Sequence, residues 1–148
     1  MFKGLNIASA GMSAQRARLH VISSNLANAS TTKTEDGGPY QRREAVFQTT
    51  LPEGWQRAME GDAKDRDGVG MSLRGVQVSD VQRDPVPGPL VFDPSHPHAD
   101  ENGNVEMPNV NPVEEMVDMI AASRSFEANA QSFQTLRDMV MRAMDIGR

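Results

Sequence analysis

Cysteine is absent from this chain, which excludes disulfides, thiolate metal sites and cysteine nucleophiles together. Aromatic residues are scarce: one Trp, one Tyr and five Phe make up 5% of the sequence. Apolar residues reach only 38%. That is below the ~45–50% of an ordinary soluble domain, a share that also counts Gly. Such a chain can bury a small core but not a rich one. No run approaches the ~18–20 consecutive apolar residues of a membrane span. The N-terminus also lacks the continuous apolar core of a cleaved secretory signal, so neither membrane insertion nor standard signal cleavage is expected. Excess positive charge is missing too. The 15 Lys and Arg are outnumbered by 20 Asp and Glu, for a net charge of −5, and nucleic-acid wrapping needs a basic footprint. The 148 residues amount to about one domain, on a scale of ~100–200 residues per domain.

The charge that is present is unevenly placed. Residues 1–34 hold Lys3, Arg16, Arg18 and Lys33 with no acid. Residues 35–111 hold 14 acids and 7 bases, and residues 112–148 hold 6 acids and 4 bases. A basic start and an acidic end can attract each other, which aids orientation more than affinity.

Both ends carry helical periodicity. Leu5, Ala8, Met12, Gln15, Leu19, Ile22 and Leu26 recur at steps of three and four, predicting a heptad seam over 5–28 with one polar member. Ala10, Ala14, Ala17 and Ala27 favour that helix, and Gly4 and Gly11 each cost about 1 kcal/mol relative to Ala. Asn28 and the Ser30-Thr31-Thr32 run end it. At the other end, Asn111 is a suitable N-cap, Pro112 suits the first helical position, and Glu114 stands where a capping box places its acid. Met119, Phe126, Phe133 and Val140 then fall seven apart, with Ala122, Leu136 and Ala143 between them and Asn129 as the polar exception. Val113, Val117 and Ile120 form a second stripe. Gly147 closes the helix.

The middle reads differently. Gly37-Gly38-Pro39 punctuates the chain, and Tyr40–Leu51 sets Ala45, Phe47 and Leu51 on one face, as a strand does. Residues 52–70 are rich in Gly and charge and predict a mobile loop carrying Trp55. Met71, Leu73, Val76, Val78 and Val81 predict a second strand with an irregularity near Ser79. Asp84-Pro85-Val86-Pro87-Gly88-Pro89 is a rigid turn, followed by a short strand at Leu90-Val91-Phe92. Residues 93–111 read as extended and loop-like, because Pro and Asn interrupt any period. The predicted fold is α+β, with long terminal helices packing as a coiled-coil-like pair around a small β-rich module. Its expected parts are an N-terminal helix and loop at 1–34, the β-rich module at 35–110, and a C-terminal helix at 111–148.

Chemical motifs are few. His96-Pro97-His98 lies near Asp93 and Asp100, but two histidines do not close a metal coordination shell. Asp65-Arg66-Asp67-Gly68 resembles part of a calcium loop, yet aligning its Gly puts Ala63 at the first ligand position and Arg74 where a bidentate Glu belongs. Asp100-Glu101-Asn102-Gly103-Asn104 fails likewise, so both are turns. Gly68-Val69-Gly70 lacks a third glycine and a following helix, and Asn28-Ala29-Ser30 is only a formal sequon. No nucleophile–base pairing is suggested by spacing. Neither an enzyme, a cofactor nor a metal is therefore expected. The basic, acid-free start also fits a mitochondrial transit peptide, although that leaves the heptads at the other end unexplained. Two amphipathic helices can equally form an ordinary core hairpin.

Several segments together resemble the bacterial flagellar basal-body rod proteins. Ser24-Asn25-Leu26-Ala27-Asn28 looks like the Asn-rich end of the N-terminal helix of flagellar axial proteins, and Gly37-Gly38-Pro39-Tyr40-Gln41-Arg42-Arg43 is similar to the segment that follows it. Asp93-Pro94-Ser95-His96-Pro97-His98-Ala99-Asp100, Met107-Pro108-Asn109-Val110-Asn111 and Val113-Glu114-Glu115-Met116-Val117-Asp118-Met119-Ile120 match rod-protein motifs. So does Ala122-Ser123-Arg124-Ser125-Phe126-Glu127-Ala128-Asn129. The departures are Asn104 at a frequently aromatic position, Phe126 in place of a common Tyr, and a longer 52–70 loop.

This resemblance implies a structural subunit of the proximal rod, with terminal helices forming an inner tube and the β module outside. It implies assembly with copies of itself and other rod subunits, and delivery through the flagellar type III export apparatus to a rod crossing the periplasm. The seam residues Leu5, Met12, Leu19, Ile22, Leu26, Met119, Phe126, Phe133, Leu136 and Val140 are then the expected assembly interface. Asn25, Asn28, Tyr40, Arg42, Asn109, Asn111, Glu114, Glu115, Arg124 and Asn129 are the motif residues. Arg16, Arg18, Glu114 and Glu115 are expected inter-subunit contacts, and Gln15 and Asn129 are candidates for setting register. The alternative is a soluble helical-hairpin adaptor outside the flagellum.

Overall fold

The computed structural model describes residues 2–50 and 75–146. The expected loop at 52–70 with Trp55, the calcium-like turn at 65–68, the strand positions Leu51, Met71 and Leu73, and the helix end at Gly147 lie outside these residues. Two long helices frame the chain, α1 at Phe2–Ala27 and α2 at Pro112–Ile146. Between them lie the strands β1 (Arg43–Thr49), β2 (Val76–Arg83), β3 (Leu90–Phe92) and β4 (Asn104–Glu106).

The helix ends follow the local chemistry. Asn28 closes α1 by donating both its backbone N–H, at 3.1 Å, and its side-chain amide, at 2.9 Å, to the Ser24 carbonyl. At α2 the Asn111 Oδ1 accepts the Val113 N–H at 3.1 Å, the bond expected of an N-cap. Glu114 and Glu115 in the first turn complement the helix dipole. The structure records no return bond from the Glu114 side chain to Asn111, so half of the expected capping box is formed. Glu115, the next residue, turns inward instead.

The helices pack antiparallel. A Cβ placed on Gly4 would lie 3.3 Å from Leu136 Cδ1, and one on Gly11 would lie 3.0 Å from the Asn129 side chain. Further along, Asn25 bonds Glu115. On α2 the facing row is the expected one, running through Met119, Ala122, Phe126, Asn129, Phe133, Leu136 and Val140. Ala122 is fully buried and the others are half-buried. On α1 the row is turned by one residue. Gly4, Ala8, Gly11, Gln15, Arg18, Ile22 and Asn25 face α2, while Leu5, Met12, Leu19 and Leu26 flank them half-buried. The reason is steric. Glycine at 4 and 11 lets the two backbones approach, whereas leucine in the facing row would hold them apart.

The two sheets are hairpins, β1–β2 and β3–β4, both antiparallel. In the first, Val46 pairs with Asp80 but Phe47 pairs with Val78, so Ser79 is the extra residue of a bulge. This is the irregularity expected near Ser79. Because side chains alternate along a strand, the extra residue keeps Val81 on the face that holds Val76 and Val78. That face meets Ala45 and Phe47 across the hairpin, and α1 packs against the hairpin. Strand β4 corrects the expectation of a continuous loop over 93–111. Its only apolar residue, Val105, gives no readable period, yet it is buried opposite Val91. The β3–β4 connection turns at Gly103, whose φ of +77° suits glycine. Before β3, Gly88 passes so close to the Met107 carbonyl oxygen that no Cβ fits there.

The apolar core is thin. Among the described residues its buried members are Ala8, Ala14, Ile22, Tyr40, Val105, Val110 and Ala122, in line with the low apolar share of the sequence.

Candidate functional site

The largest fully buried side chains of the described residues are both polar, Asn25 and Glu115. They sit where the end of α1, the lead into β1 and the start of α2 converge. Burying such groups is costly unless every bond is met, and here the bonds are met. Asn25 Nδ2 donates to the Arg43 carbonyl at 2.8 Å and to Glu115 Oε2 at 3.1 Å. Asn25 Oδ1 accepts the Tyr40 hydroxyl at 3.0 Å and the Arg43 N–H at 2.9 Å. The whole hydrogen-bonding capacity of one amide is thus used.

Charge completes the cluster. Arg42 Nε donates to Glu115 Oε1 at 2.7 Å, and its other nitrogens lie 3.8 Å from Glu44 and from Asp118. Arg18 on α1 reaches Asp118 on α2 at 3.2 Å. Burial works against the Arg42 charge, but the Glu115 hydrogen bond and the charges of Glu115, Glu44 and Asp118 outweigh it and raise the pKa. The Arg42 N–H donates to Asn109 Oδ1 at 2.7 Å, and Asn109 Nδ2 donates to the Val86 carbonyl at 2.9 Å. One polar clasp therefore ties both helices, β1 and the Pro-rich turn together.

The structure brings Asn25, Tyr40, Arg42, Asn109 and Glu115 from the expected motif set into this clasp. Asn28 and Asn111 serve as helix caps beside it. Glu114 and Arg124 are exposed on α2, and Asn129 lies far along the helix against Gly11. One expected inter-subunit contact is corrected, since Glu115 is fully buried within the chain; Arg18 pairs with Asp118 of its own chain and keeps 36% of its side chain exposed. Arg16 and Glu114 remain exposed. Asp118 was not among the candidates. Its position three residues after Glu115, on the same side of the helix, is the signal that could have found it.

The two histidines of the 96–98 motif build a loop. Their rings lie edge to face at 5.3 Å, and His98 Nδ1 bonds the Thr32 hydroxyl at 2.9 Å. Asp93 accepts from the Ser95 hydroxyl and N–H; the hydroxyl bond foremost holds its carboxyl below the usual range. Among the described residues no group of three or more His, Asp or Glu could hold a metal ion. The outer surface carries apolar side chains instead. Val113, Val117 and Ile120 are 56–64% exposed on α2. Met139, Met141 and Met144 near its other end, and Leu90 and Phe92 on β3, are exposed as well.

Comparison with known proteins agrees with this organisation. Residues 5–33 match the family model of the flagella basal body rod protein. Residues 101–146 match the model of the flagellar basal body rod FlgEFG protein C-terminal region. Relatives named flagellar basal-body rod protein FlgC match almost end to end. The one from Borreliella burgdorferi is 43% identical over 99% of this chain and 97% of its own length. The Bacillus subtilis protein is 36% identical over 99% of this chain and 98% of its own. The Aquifex aeolicus protein is 38% identical over 98% of this chain and 96% of its own. The chain belongs to the FlgC family of bacterial flagellar basal-body rod proteins.

Proposed function

We propose that this chain is a non-enzymatic structural subunit of the proximal flagellar rod, joined to copies of itself and to other rod subunits through its terminal helices. The observation that carries the reading is the full-length likeness to named rod proteins on a chain whose two ends form one helix pair. In this reading the subunit reaches the rod through the flagellar type III export apparatus and helps transmit torque across the periplasm.

The physics of the pair supports an assembled state. The intrachain row on α1 is made of Gly, Ala, Gln, Arg and Asn with one Ile. Leu5, Met12, Leu19 and Leu26 are left half-buried beside it, and their free flanks gain ~25 cal/mol for each Å² that a neighbour covers. Heterologous contacts of this kind repeat into filaments rather than closed dimers.

The test is Leu19→Asp expressed in the motile parent. Rod incorporation and motility should be lost while the protein is still synthesised. Normal swimming and normal recovery of the variant in basal bodies would overturn the proposed use of this flank.

A further inference from the structure

Strand β3 presents an open edge. Val91 opposes Val105 in the β3–β4 ladder. On either side of that pair, the Met107 N–H donates to the Pro89 carbonyl and the Asp93 N–H to the Gly103 carbonyl, both at 2.9 Å. Bonded residues alternate along an antiparallel strand, so Pro89, Val91 and Asp93 face β4. The N–H and C=O groups of Leu90 and Phe92 therefore point the other way. Among the described residues these four groups meet no partner.

The side chains along this edge are apolar. Leu90 and Phe92 share one face and are each 70% exposed, and Val91 on the other face is 46% exposed. Proteins commonly blunt an edge strand with a charge or a proline. Here Pro89 and Pro94 stand outside the strand and confine the open edge to it. Leu90 also borders an open cleft of about 620 Å³ that can take a neighbour's side chain, with Lys33 facing Asp100 and Glu106 in its wall.

Charge narrows what can dock. Residues 84–106 carry Asp84, Asp93, Asp100, Glu101 and Glu106 and no Lys or Arg. Arg83, just before them, is paired with Asp36. We infer that β3 is a docking edge for an extended, basic segment of another protein, which adds to the hairpin as a further strand. Main-chain bonds to Leu90 and Phe92 give the added strand its affinity and register, and its alternate side chains cover theirs. Lys or Arg beside those positions meets the surrounding carboxylates. Among the described residues, every Lys and Arg except Lys33 and Arg42 lies in α1, in α2 or in the β1–β2 hairpin, so the occupant is a different protein rather than a second copy.

The test uses the purified full chain and short fluorescent peptides, and it stands apart from the rod reading, so either can fail alone. The probe is a peptide of alternating Lys and Val. One control alternates Glu and Val, and another is the Lys–Val peptide methylated on alternate backbone nitrogens. The Lys–Val peptide should bind saturably, and both controls at least about tenfold more weakly, the scale of a hydrogen-bonding partner left unmet. Phe92→Pro removes an outward N–H and spares the bonds to β4, as proline on an edge does; Phe92→Ala keeps that N–H. The proline variant should bind about tenfold more weakly than the alanine variant. Hydrogen exchange at the Met107 and Asp93 amides checks that the hairpin persists, and Leu90→Pro against Leu90→Ala replaces the pair if it does not. No saturable binding up to about 1 mM, equal binding of the methylated peptide, or equal affinity of the two variants refutes the docking edge. Equal binding of the Glu–Val peptide refutes the basic partner. Self-association of the unmodified chain that Phe92→Pro abolishes would give the edge to a second copy and overturn the inference.

Discussion

Replacing Asn25 by Ala removes four hydrogen bonds at once. The partners left behind are the Arg43 N–H and carbonyl, Glu115 Oε2 and the Tyr40 hydroxyl, the last of which retains Ser24 Oγ at 3.3 Å. An unsatisfied buried group costs about 1–3 kcal/mol. The Arg43 groups belong at the low end, because that residue is exposed and water reaches it. A sum of about 4–5 kcal/mol results on that scale, less about 0.5 kcal/mol for the better helix propensity of Ala. At roughly 2–4 °C per kcal/mol for a chain near this size, the melting temperature should fall by about 10 °C. Thermal unfolding of the purified chain, followed by circular dichroism, reads this directly. Asn25→Asp sharpens the test. It keeps the acceptor side but sets a second carboxylate against Glu115, and two carboxylates in one buried site resist joint ionisation. At neutral pH this variant should be the less stable of the two, and the gap should narrow as acidification lets the pair share a proton. An Asn25→Ala loss below about 1 kcal/mol, the net worth of a single hydrogen bond, would refute the clasp as a determinant of stability. So would an Asn25→Asp deficit that ignores pH.

Two further substitutions probe close approaches. Gly88→Ala drives a Cβ into the backbone carbonyl of Met107, so the β3–β4 hairpin should shift or open. A loss of about 2–3 kcal/mol is expected, in the range of overpacking costs, with faster hydrogen exchange at the Met107 amide that bonds Pro89; unchanged exchange would contradict this packing. Gly11→Ala should lose about 2 kcal/mol to overpacking as the Asn129 side chain yields, and regain about 1 kcal/mol of helix propensity, for a net cost of about 1 kcal/mol. Adding Asn129→Ala should recover most of that loss in a double-mutant cycle, and strict additivity would show that the two residues do not meet.

The sequence made α2 readable because its large residues and its facing row coincide: Met119, Phe126, Phe133 and Val140 are both. On α1 they diverge. Hydrophobicity points to Leu5, Met12 and Leu19, but proximity is granted to Gly4 and Gly11, and periodicity cannot weigh the lack of a side chain. The bulge at Ser79 was legible because the valines changed parity there. Strand β4 was not, with Val105 alone to announce it. Asn25, Tyr40, Arg42 and Glu115 could be picked out by their likeness to family motifs. That Asn25 and Glu115 form one buried cluster could not, because ninety positions separate them and no local pattern records such a meeting.

That separation has a consequence for how the chain is made. Asn25 leaves the ribosome long before Glu115 exists, and Arg42 emerges with its carboxylate partner still unwritten. Bringing such distant groups together costs loop-closure entropy, which rises only with the logarithm of the intervening length. The closure is therefore late but not prohibitive. Until it happens, α1 has the β1–β2 hairpin to pack on but no partner for the face that carries Gly4, Gly11 and Asn25. A polypeptide cut short before Glu115 can form the Asn25 contacts to Tyr40 and Arg43, yet it leaves the rest of the amide and the Arg42 guanidinium unanswered. The clasp thus closes only on chains whose second helix has begun, and it distinguishes finished molecules from fragments by chemistry alone.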